Sequence, residues 1–207
     1  QKSCEFCNGN GCHNCNFIGL KNIESVESKI SYFLKKKFDA KQVQINWIGG
    51  EDQSSLVLGN GRPFFSKIVN PKKRNRLLRK SSDLDTVYLS ELRKLSIQPK
   101  GSVQFKSEVS ITVDTKKAIS LTTLKKLSIL KNTEIFNLSN DKKNSSKRIY
   151  TIKYKKLGKT SFLLDLLVDG GLPIKSFIQN SYVNPNVSDL LENQCFCKKL
   201  DFKNIIV

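Results

Sequence analysis

One acidic residue, Asp52, lies where a strand-like segment ends in a glycine pair and a second glycine turn follows. The first stretch is Trp47-Ile48-Gly49-Gly50-Glu51-Asp52, and the second is Leu58-Gly59-Asn60-Gly61-Arg62. This pattern predicts a carboxylate at the end of a rigid element, with open backbone around it. Such a carboxylate can act as a nucleophile or a general base. Because the net charge is +18, we expect a negatively charged partner, with RNA as the first candidate.

The basic residue that the sequence pattern places best to accompany Asp52 is Lys175. It lies in Gly170-Gly171-Leu172-Pro173-Ile174-Lys175, at the predicted corner between an apolar strand and a helix. A nearby cation keeps a carboxylate ionised in a pocket that excludes water. From the residues alone, two plainer interpretations stay open: Asp52 as a turn carboxylate that caps local amides, and Lys175 as a solvated helix residue.

Four cysteines fall within the first 15 residues, as Cys4-x2-Cys7-x4-Cys12-x2-Cys15. Two CxxC pairs can wrap one metal ion, and four thiolates form a closed tetrahedral site, so we expect structural Zn²⁺. An iron–sulfur cluster stays open, because four thiolates can also hold iron. His13, inside the cluster, could replace a cysteine as ligand, but we interpret it as a loop residue.

Basic residues greatly outnumber acidic ones, at 36 Lys and Arg against 18 Asp and Glu. Such an excess favours a polyanionic partner, because each phosphate that is neutralised releases condensed counterions. Two basic runs are predicted to bind phosphates on either side of a target nucleotide. The first contains Lys72, Lys73, Arg74, Arg76, Arg79 and Lys80, and the second contains Lys142, Lys143, Lys147 and Arg148. A flexible solvated loop is the alternative for each run.

The composition also limits the class of protein. A chain of 207 residues with 38% hydrophobic residues can form one large domain and a small appendage. We find no secretory segment and no apolar run near the roughly 20 residues of a membrane span, so we expect a cytoplasmic protein without a membrane partner. The chain begins with Gln1 and contains no Met, and we therefore expect that an N-terminal part is missing.

Periodicity predicts α+β architecture with a largely antiparallel sheet flanked by helices. Helices are expected at residues 24–38, 88–95, 121–130, 172–180 and 187–193. Strands are expected at residues 42–48, 63–69, 103–113, 150–154, 162–168 and 200–207. The near-continuous apolar run at 162–168 predicts a central strand that is covered on both faces.

The stretch from Gly49 to Pro71 resembles the catalytic signature of the archaeal and eukaryotic tRNA pseudouridine synthases that act on the TΨC arm. Glu51 and Asp52 match its acidic pair, and the second half is matched by Gly59, Gly61, Arg62, Pro63 and Phe64. The block from Gly170 to Lys175 is similar to a second motif, whose basic residue pairs with the catalytic aspartate. The resemblance covers most of residues 22–207, and it does not include the RNA-binding THUMP-type domain of that family.

This resemblance implies a pseudouridine-synthase-type sheet and isomerisation of uridine at tRNA positions 54 or 55. It implies Asp52 and Lys175 as catalytic residues, no catalytic cofactor, and tRNA as the partner of a monomer. Arg62 and Tyr150 join the basic residues 72–80 as expected RNA contacts, Tyr150 as a platform for base stacking. The chain would divide into a metal-binding knuckle with four cysteines at residues 1–20 and a catalytic domain at residues 21–207.

Three positions depart from the family pattern. Gly50 stands where the family has Arg, Pro173 where it often has Tyr, and Val109 where an aromatic residue is expected to stack on the target uracil. These departures favour an alternative, a non-catalytic zinc-containing RNA-binding protein on a degenerate synthase scaffold. A third interpretation is a zinc-bearing ribosome-associated or DNA-associated protein in which the segment around Asp52 is only a turn.

Overall fold

The computed structural model describes residues 2–50, 55–74, 81–97, 99, 101, 103–138, 146–179 and 182–207. It divides the chain into two compact units, the first made of residues 1–47 and 64–100, the second of residues 48–63 and 101–207. The domain boundary expected at residue 20 stays a prediction. Because each unit is made of two separate stretches, the units interleave along the sequence, and residues 48–50 and 55–63 fall within the second.

The elements mix helices and strands. The helices are α1 (Val26–Phe38), α2 (Leu121–Lys125), α3 (Ile174–Gln179) and α4 (Val187–Leu190), with 3-10 turns at His13–Cys15 and Lys126–Leu130. The strands are β1 (Gln42–Trp47), β2 (Leu56–Val57), β3 (Phe64–Val69), β4 (Ser82–Asp83), β5 (Tyr88–Leu89), β6 (Lys106–Thr115), β7 (Thr133–Asn137), β8 (Ser146–Lys156), β9 (Ser161–Asp169), β10 (Val183–Asn184) and β11 (Cys195–Ile206).

The first unit is organised around helix α1. Ser25 caps its start by accepting a hydrogen bond from the Ser28 N–H, and Asp39 ends it in a left-handed conformation. Ile30 and Leu34 bury the apolar face of the helix. Strands β1 and β3 pair antiparallel and supply partly buried residues to the same core, which includes Trp47.

A large sheet forms the second unit. Among the described residues its strand order is β10-β7-β8-β9-β6-β11-β2. Neighbouring strands run antiparallel except for β2, which pairs parallel with β11. Every second residue of β9, such as Leu164 and Leu166, is buried. Helix residues Leu124, Phe177 and Ile178 join that core, so the predicted α+β class and antiparallel sheet are confirmed.

Two predictions about elements are wrong. Residues 88–95 contain no helix, because Tyr88 and Leu89 pair with β4 and Glu91 has a φ of +55°, which a right-handed helix does not allow. Strand β9 is central, as predicted, but it is not covered on both faces, since Asp165 and its neighbours on the second face stay partly exposed.

No helix in the described part of the chain is long and apolar enough to cross a membrane.

Candidate active site

A cleft of about 190 Å³ opens in the second unit, where β6 begins and β9 ends. This volume far exceeds the ~10–15 Å³ that a single water needs, and it is smaller than the ~300 Å³ at which pockets for drug-sized ligands begin. A space of this size can take a small ligand or one ring of a larger one. It is lined by Gly50, Phe105, Ser107, Val109, Val168, Asp169, Gly171, Leu172, Ile174 and Phe202.

The aromatic ring of Phe105 is held in the cleft by two glycines. A Cβ built on Gly170 would lie 2.3–2.5 Å from three ring atoms, and one built on Gly49 would lie 3.3 Å from the ring. The Gly170 N–H also donates a hydrogen bond of 2.7 Å to the Phe105 carbonyl. Only glycine at position 170 permits this approach, so the Phe105 ring lies directly against the backbone at the cleft.

Phe105 is a residue that the sequence analysis missed. The aromatic position was assigned to Val109, which is only 1% exposed. Phe105, Ser107 and Val109 occupy alternate positions, share one face of the strand, and all line the cleft. That alternation was the available signal, because it puts Phe105, just before β6, on the same side as Ser107 and Val109.

The strand β1 leads into the glycine pair, and Arg62 anchors the backbone that follows. Its guanidinium donates from Nε to the Ile48 carbonyl at 3.2 Å and also hydrogen-bonds to the Gly49 carbonyl. Gly49 has a φ of +80°, which glycine adopts without strain. Gly50 then lines the cleft. The structure thus gives Arg62 a positioning function, and its predicted contact with RNA stays a prediction.

Asp52 lies outside the described residues, as do Glu51, Gln53 and Ser54. Lys175 lies in the first turn of α3 and is exposed, while the neighbouring Ile174 lines the cleft. The predicted corner between strand and helix is therefore in place, between Asp169 at the end of β9 and Ile174 at the start of α3. The pairing of Asp52 with Lys175 stays a prediction.

Asp169 ends β9 on the face opposite that of Val168, and both oxygens of its carboxylate accept hydrogen bonds. The Tyr150 hydroxyl donates to Oδ1 and the Arg148 backbone N–H donates to Oδ2, each at 2.8 Å. The pKa of Tyr150 is raised, mainly because its hydroxyl donates to Asp169 and secondly because it is partly buried. The Lys106 ammonium lies 3.9 Å from the centre of the Tyr150 ring. Base stacking by Tyr150 stays a prediction, and the described contact of its hydroxyl is with Asp169.

Three of the predicted phosphate contacts lie beside the end of helix α1. The backbone N–H groups of Lys72 and Lys73 donate to the carbonyls of Asp39 and Phe38. Lys72, Lys73 and Arg74 are exposed, and no ion pair joins them to an acid among the described residues. The other members of the run, Arg76, Arg79 and Lys80, lie outside the described residues, as do Lys142 and Lys143 of the second run.

The four N-terminal cysteines converge as a metal site requires. Their Sγ atoms all lie within 4.8 Å of one another, with Cys4–Cys12 at 4.0 Å and both Cys7–Cys15 and Cys12–Cys15 at 3.8 Å. A tetrahedron with Zn–S bonds of about 2.3 Å has sulfur atoms about 3.8 Å apart. These residues can therefore hold one metal ion. His13 packs edge-on against Phe17 and does not belong to this group.

Backbone amides complete the cysteine cluster. Gly11 N–H donates to Cys7 Sγ at 3.1 Å, and Cys12 and Gly19 N–H groups donate to Cys15 Sγ at 3.2 and 3.3 Å. Burial opposes ionisation of Cys15, but these hydrogen bonds lower its pKa to about 6. Burial and contacts with Cys15 and Cys7 raise the pKa of Cys12 to about 11. The amides thus favour thiolate at Cys15, which is the form that binds metal.

Comparison with known proteins gives a family match over nearly the whole chain. Residues 12–205 match the family described as Pus10, C-terminal. A tRNA pseudouridine synthase Pus10 of Nitrosopumilus maritimus (strain SCM1) is 43% identical over 100% of this chain and 54% of its own length. One of Cenarchaeum symbiosum (strain A) is 36% identical over 99% of this chain and 50% of its own length. The chain spans about half the length of these curated relatives.

Solved structures share the fold at low identity. The crystal structure of a Cbf5-Nop10-Gar1 complex matches with a TM-score of 0.51 and 10% identity, over 85% of this chain and 44% of the matched chain. The archaeal box H/ACA sRNP Nop10-Cbf5 complex matches with a TM-score of 0.50 and 10% identity, over 85% and 42%. At such identity the likeness concerns the fold alone.

Proposed function

The chain belongs to the Pus10 C-terminal family, and from this premise we propose that it isomerises uridine to pseudouridine in tRNA. The observation that carries the proposal is the cleft in the second unit. An aromatic ring is fixed there by Gly170, and the backbone at Gly50, two residues before Asp52, lines the same space. The relatives named as tRNA pseudouridine synthases support tRNA as the substrate.

The proposed reaction breaks the C1′–N1 bond of uridine and forms a C1′–C5 bond. The base turns between these steps, C5 loses its proton and N1 gains one, so the atoms balance without a further reactant. The target base must first leave its stack, at a cost of a few kcal/mol. Stacking on an aromatic ring returns roughly 1–3 kcal/mol per base. Phe105 and Phe202 both line the cleft, and we propose the Phe105 ring, which Gly170 holds in place, for this purpose.

Asp52 is proposed as the nucleophile or base that acts on the sugar, and Lys175 as the cation that keeps it ionised. Arg62 supports the segment that leads to Asp52, because it fixes the carbonyls of Ile48 and Gly49. The chemistry proposed here uses no catalytic cofactor. The cysteine cluster would hold Zn²⁺ in a closed structural site, through Cys4, Cys7, Cys12 and Cys15.

The remaining parts of the proposal concern the substrate and its setting. The TΨC loop, at position 54 or 55, is the proposed target, which the resemblance of the signature around Asp52 supports. Lys72, Lys73 and Arg74 would bind phosphates, which positions RNA without distinguishing its sequence. We propose that the chain acts as a monomer in the cytoplasm.

Pseudouridine mapping tests this function. An unmodified tRNA transcript is incubated with the chain, treated with carbodiimide and analysed by primer extension. We expect a stop in the TΨC loop with the unmutated chain and none with Asp52→Asn, while tRNA affinity stays nearly unchanged. Glu51→Gln is the matched control, because it removes the same charge from the adjacent position and should keep the stop.

Two results would contradict the proposal. A stop that persists with Asp52→Asn would exclude this carboxylate from the reaction. No stop with the unmutated chain, together with tight binding of tRNA that weakens with salt, would favour a non-catalytic RNA-binding scaffold.

A further inference from the structure

We infer that Lys147 binds a phosphate of the RNA backbone beside the target uridine and so holds that nucleotide at the cleft. The inference rests on the proposed function, because it assigns the cleft to a uridine, and it adds a contact with the substrate at the same site. Lys147 belongs to the second basic run, in which the sequence distinguishes no single member.

Strand pairing places Lys147 on the face of the sheet that carries the cleft. Ile149, two residues after Lys147, pairs with Val168 of β9. Residues two apart in a strand share a face, as do residues that pair directly. Lys147 therefore lies on the face of Val168, which lines the cleft. Arg148 lies on the other face, where its guanidinium pairs with Glu134 at 2.9 Å.

The ammonium of Lys147 reaches the edge of the cleft at Gly171. Lys147 Nζ lies 3.8 Å, and Cε 3.7 Å, from the position that a Cβ on Gly171 would take. Gly171 lines the cleft and also a smaller cavity of about 20 Å³, which Lys147 and Asn137 help to line. This volume slightly exceeds the ~10–15 Å³ that one water needs. The cavity can therefore take one oxygen atom of a ligand next to the ammonium.

No acid of the described part of the chain neutralises Lys147. Its side chain is partly buried, yet none of the ion pairs among the described residues includes its ammonium. Two acids of the adjoining strands contact other groups: Glu134 pairs with Arg148, and Asp169 accepts from the Tyr150 hydroxyl on the opposite face. A partly buried cation of this kind favours a ligand that brings negative charge.

The chemistry of a nucleotide indicates which group the ammonium meets. Uracil is neutral, and the negative charge of RNA is carried by its phosphates. A uridine that places its base in the cleft keeps its sugar and phosphates at the edge, because they continue into the RNA chain. Lysine binds phosphate as a point charge. The contact therefore positions the nucleotide without distinguishing its sequence.

A double-mutant cycle between protein and RNA tests the contact. tRNA is assembled with an uncharged methylphosphonate in place of one phosphate that flanks position 54 or 55, one position at a time. The preceding nucleotide carries a 2′-O-methyl group in every RNA, which protects the linkage. Fluorescence anisotropy measures the affinity of the unmutated chain and of Lys147→Gln. At one of these positions, each change alone should weaken binding by about 10-fold, and both together by no more than one alone.

Two matched variants separate charge at this place from charge in general. Lys147→Arg keeps the positive charge and should keep both the coupling and most of the affinity. Lys153 lies in the same strand, is exposed, pairs with Asp165 and does not line the cleft. Lys153→Gln should therefore respond to each methylphosphonate as the unmutated chain does. Circular dichroism of all variants checks that the sheet is retained.

The kinetics of pseudouridine formation give a second measurement. Lys147→Gln should raise KM by about 10-fold with kcat nearly unchanged, as expected when a lost contact is equally strong in the ground state and the transition state. A fall in kcat at constant KM would assign Lys147 to the chemical step and would overturn the inference.

Losses that add at every flanking phosphate, or the same loss of coupling in Lys147→Gln and Lys153→Gln, would also overturn the inference and leave the proposed function standing. The affinity cycle needs no turnover. If the unmutated chain forms no pseudouridine, the proposed function fails, and the cycle still decides whether Lys147 binds one of these phosphates: coupling supports the contact, and additive losses exclude it.

Discussion

Phe105 shows how one glycine can fix the position of an aromatic ring. The backbone at Gly170 lies so near the ring that any Cβ there would come within 2.3–2.5 Å of it, closer than nonbonded carbon atoms approach. The hydrogen bond from Gly170 N–H to the Phe105 carbonyl holds the two backbones at that separation. The ring therefore cannot be kept in place once position 170 gains a side chain.

Gly170→Ala should therefore displace the Phe105 ring. We expect a loss of about 1–3 kcal/mol in the free energy of unfolding, the usual cost of overpacking, together with a marked fall in pseudouridine formation. Urea unfolding and the mapping assay measure the two effects. Gly158→Ala is the control, because its Cβ would meet only the Ser161 hydroxyl at 3.0 Å. Equal results for both variants would show that the ring tolerates a side chain at position 170.

Sequence could predict part of the site at this scale. The corner that carries Lys175 was predicted because a glycine pair followed an apolar run, and both features are local. Phe105 was missed because its position depends on the pairing of β6 with β9, which brings the Phe105 carbonyl to the Gly170 N–H. Such pairing joins residues about 60 positions apart, and a period of two reveals the face of a strand but not its partner.

At the scale of elements, α1 was predictable because its signals are contiguous. Apolar spacing, the Ser25 cap and the lysines of its last turn all lie within one segment. The helix expected at 88–95 failed because local propensity was overridden by the pairing of β5 with β4 and by the positive φ of Glu91. Short strands of two residues carry too little pattern to be recognised in advance.

The same element carries a prediction about RNA. Backbone hydrogen bonds place Lys72 and Lys73 beside the last turn of α1, which itself carries Lys35, Lys36 and Lys37. Replacing Lys72, Lys73 and Arg74 by Gln should remove up to three phosphate contacts. The slope of log K against log salt is negative, and we expect its magnitude to become smaller by about 2, at roughly 0.7 per phosphate contact for single-stranded RNA. Fluorescence anisotropy with labelled tRNA at several salt concentrations measures this slope.

A matched triple variant is Lys155→Gln, Lys156→Gln and Lys159→Gln. These residues lie where β8 ends and β9 begins, at the opposite end of β9 from the cleft. The control should leave the slope nearly unchanged. If both triple variants reduce it equally, binding depends on total charge and not on the surface beside α1.

At the scale of the whole molecule, composition predicts a polyanionic partner, which stays a prediction, but it does not predict the layout of the chain. A net charge of +18 indicates a polyanion wherever the cations lie. The layout depends on contacts between distant segments. Residues 48–63 leave the first unit between two strands that pair with each other, β1 and β3, and join the second unit through β2 and β11. No periodic pattern within those 16 residues predicts that they belong to the second unit.

The N-terminal 20 residues give the last prediction, because they have almost no core of their own. From residue 2 to residue 20, the buried residues are Cys4, Cys15 and Gly19, two of them ligand candidates. The main interaction that can hold this segment together is then the binding of one metal ion by its four cysteine sulfurs. Folding of the segment should therefore depend on the metal. Removal of the metal by a chelator should erase the ¹⁵N NMR signals of residues 2–20 from their folded positions, while signals of the β6–β9 sheet persist.

Cys7→Ser should likewise abolish metal binding, whereas Cys197→Ser, a change of the same kind in β11 outside the cluster, should keep it. Elemental analysis measures the bound metal, and a colourless protein that contains zinc would exclude an iron–sulfur cluster, whose thiolate-bound iron absorbs visible light. Metal retained by Cys7→Ser, or lost equally from both variants, would mean that the four thiolates do not act as one site. Loss of the metal without loss of the folded signals would mean that backbone hydrogen bonds such as Cys4 N–H to the Gly19 carbonyl, at 2.8 Å, suffice to hold the segment.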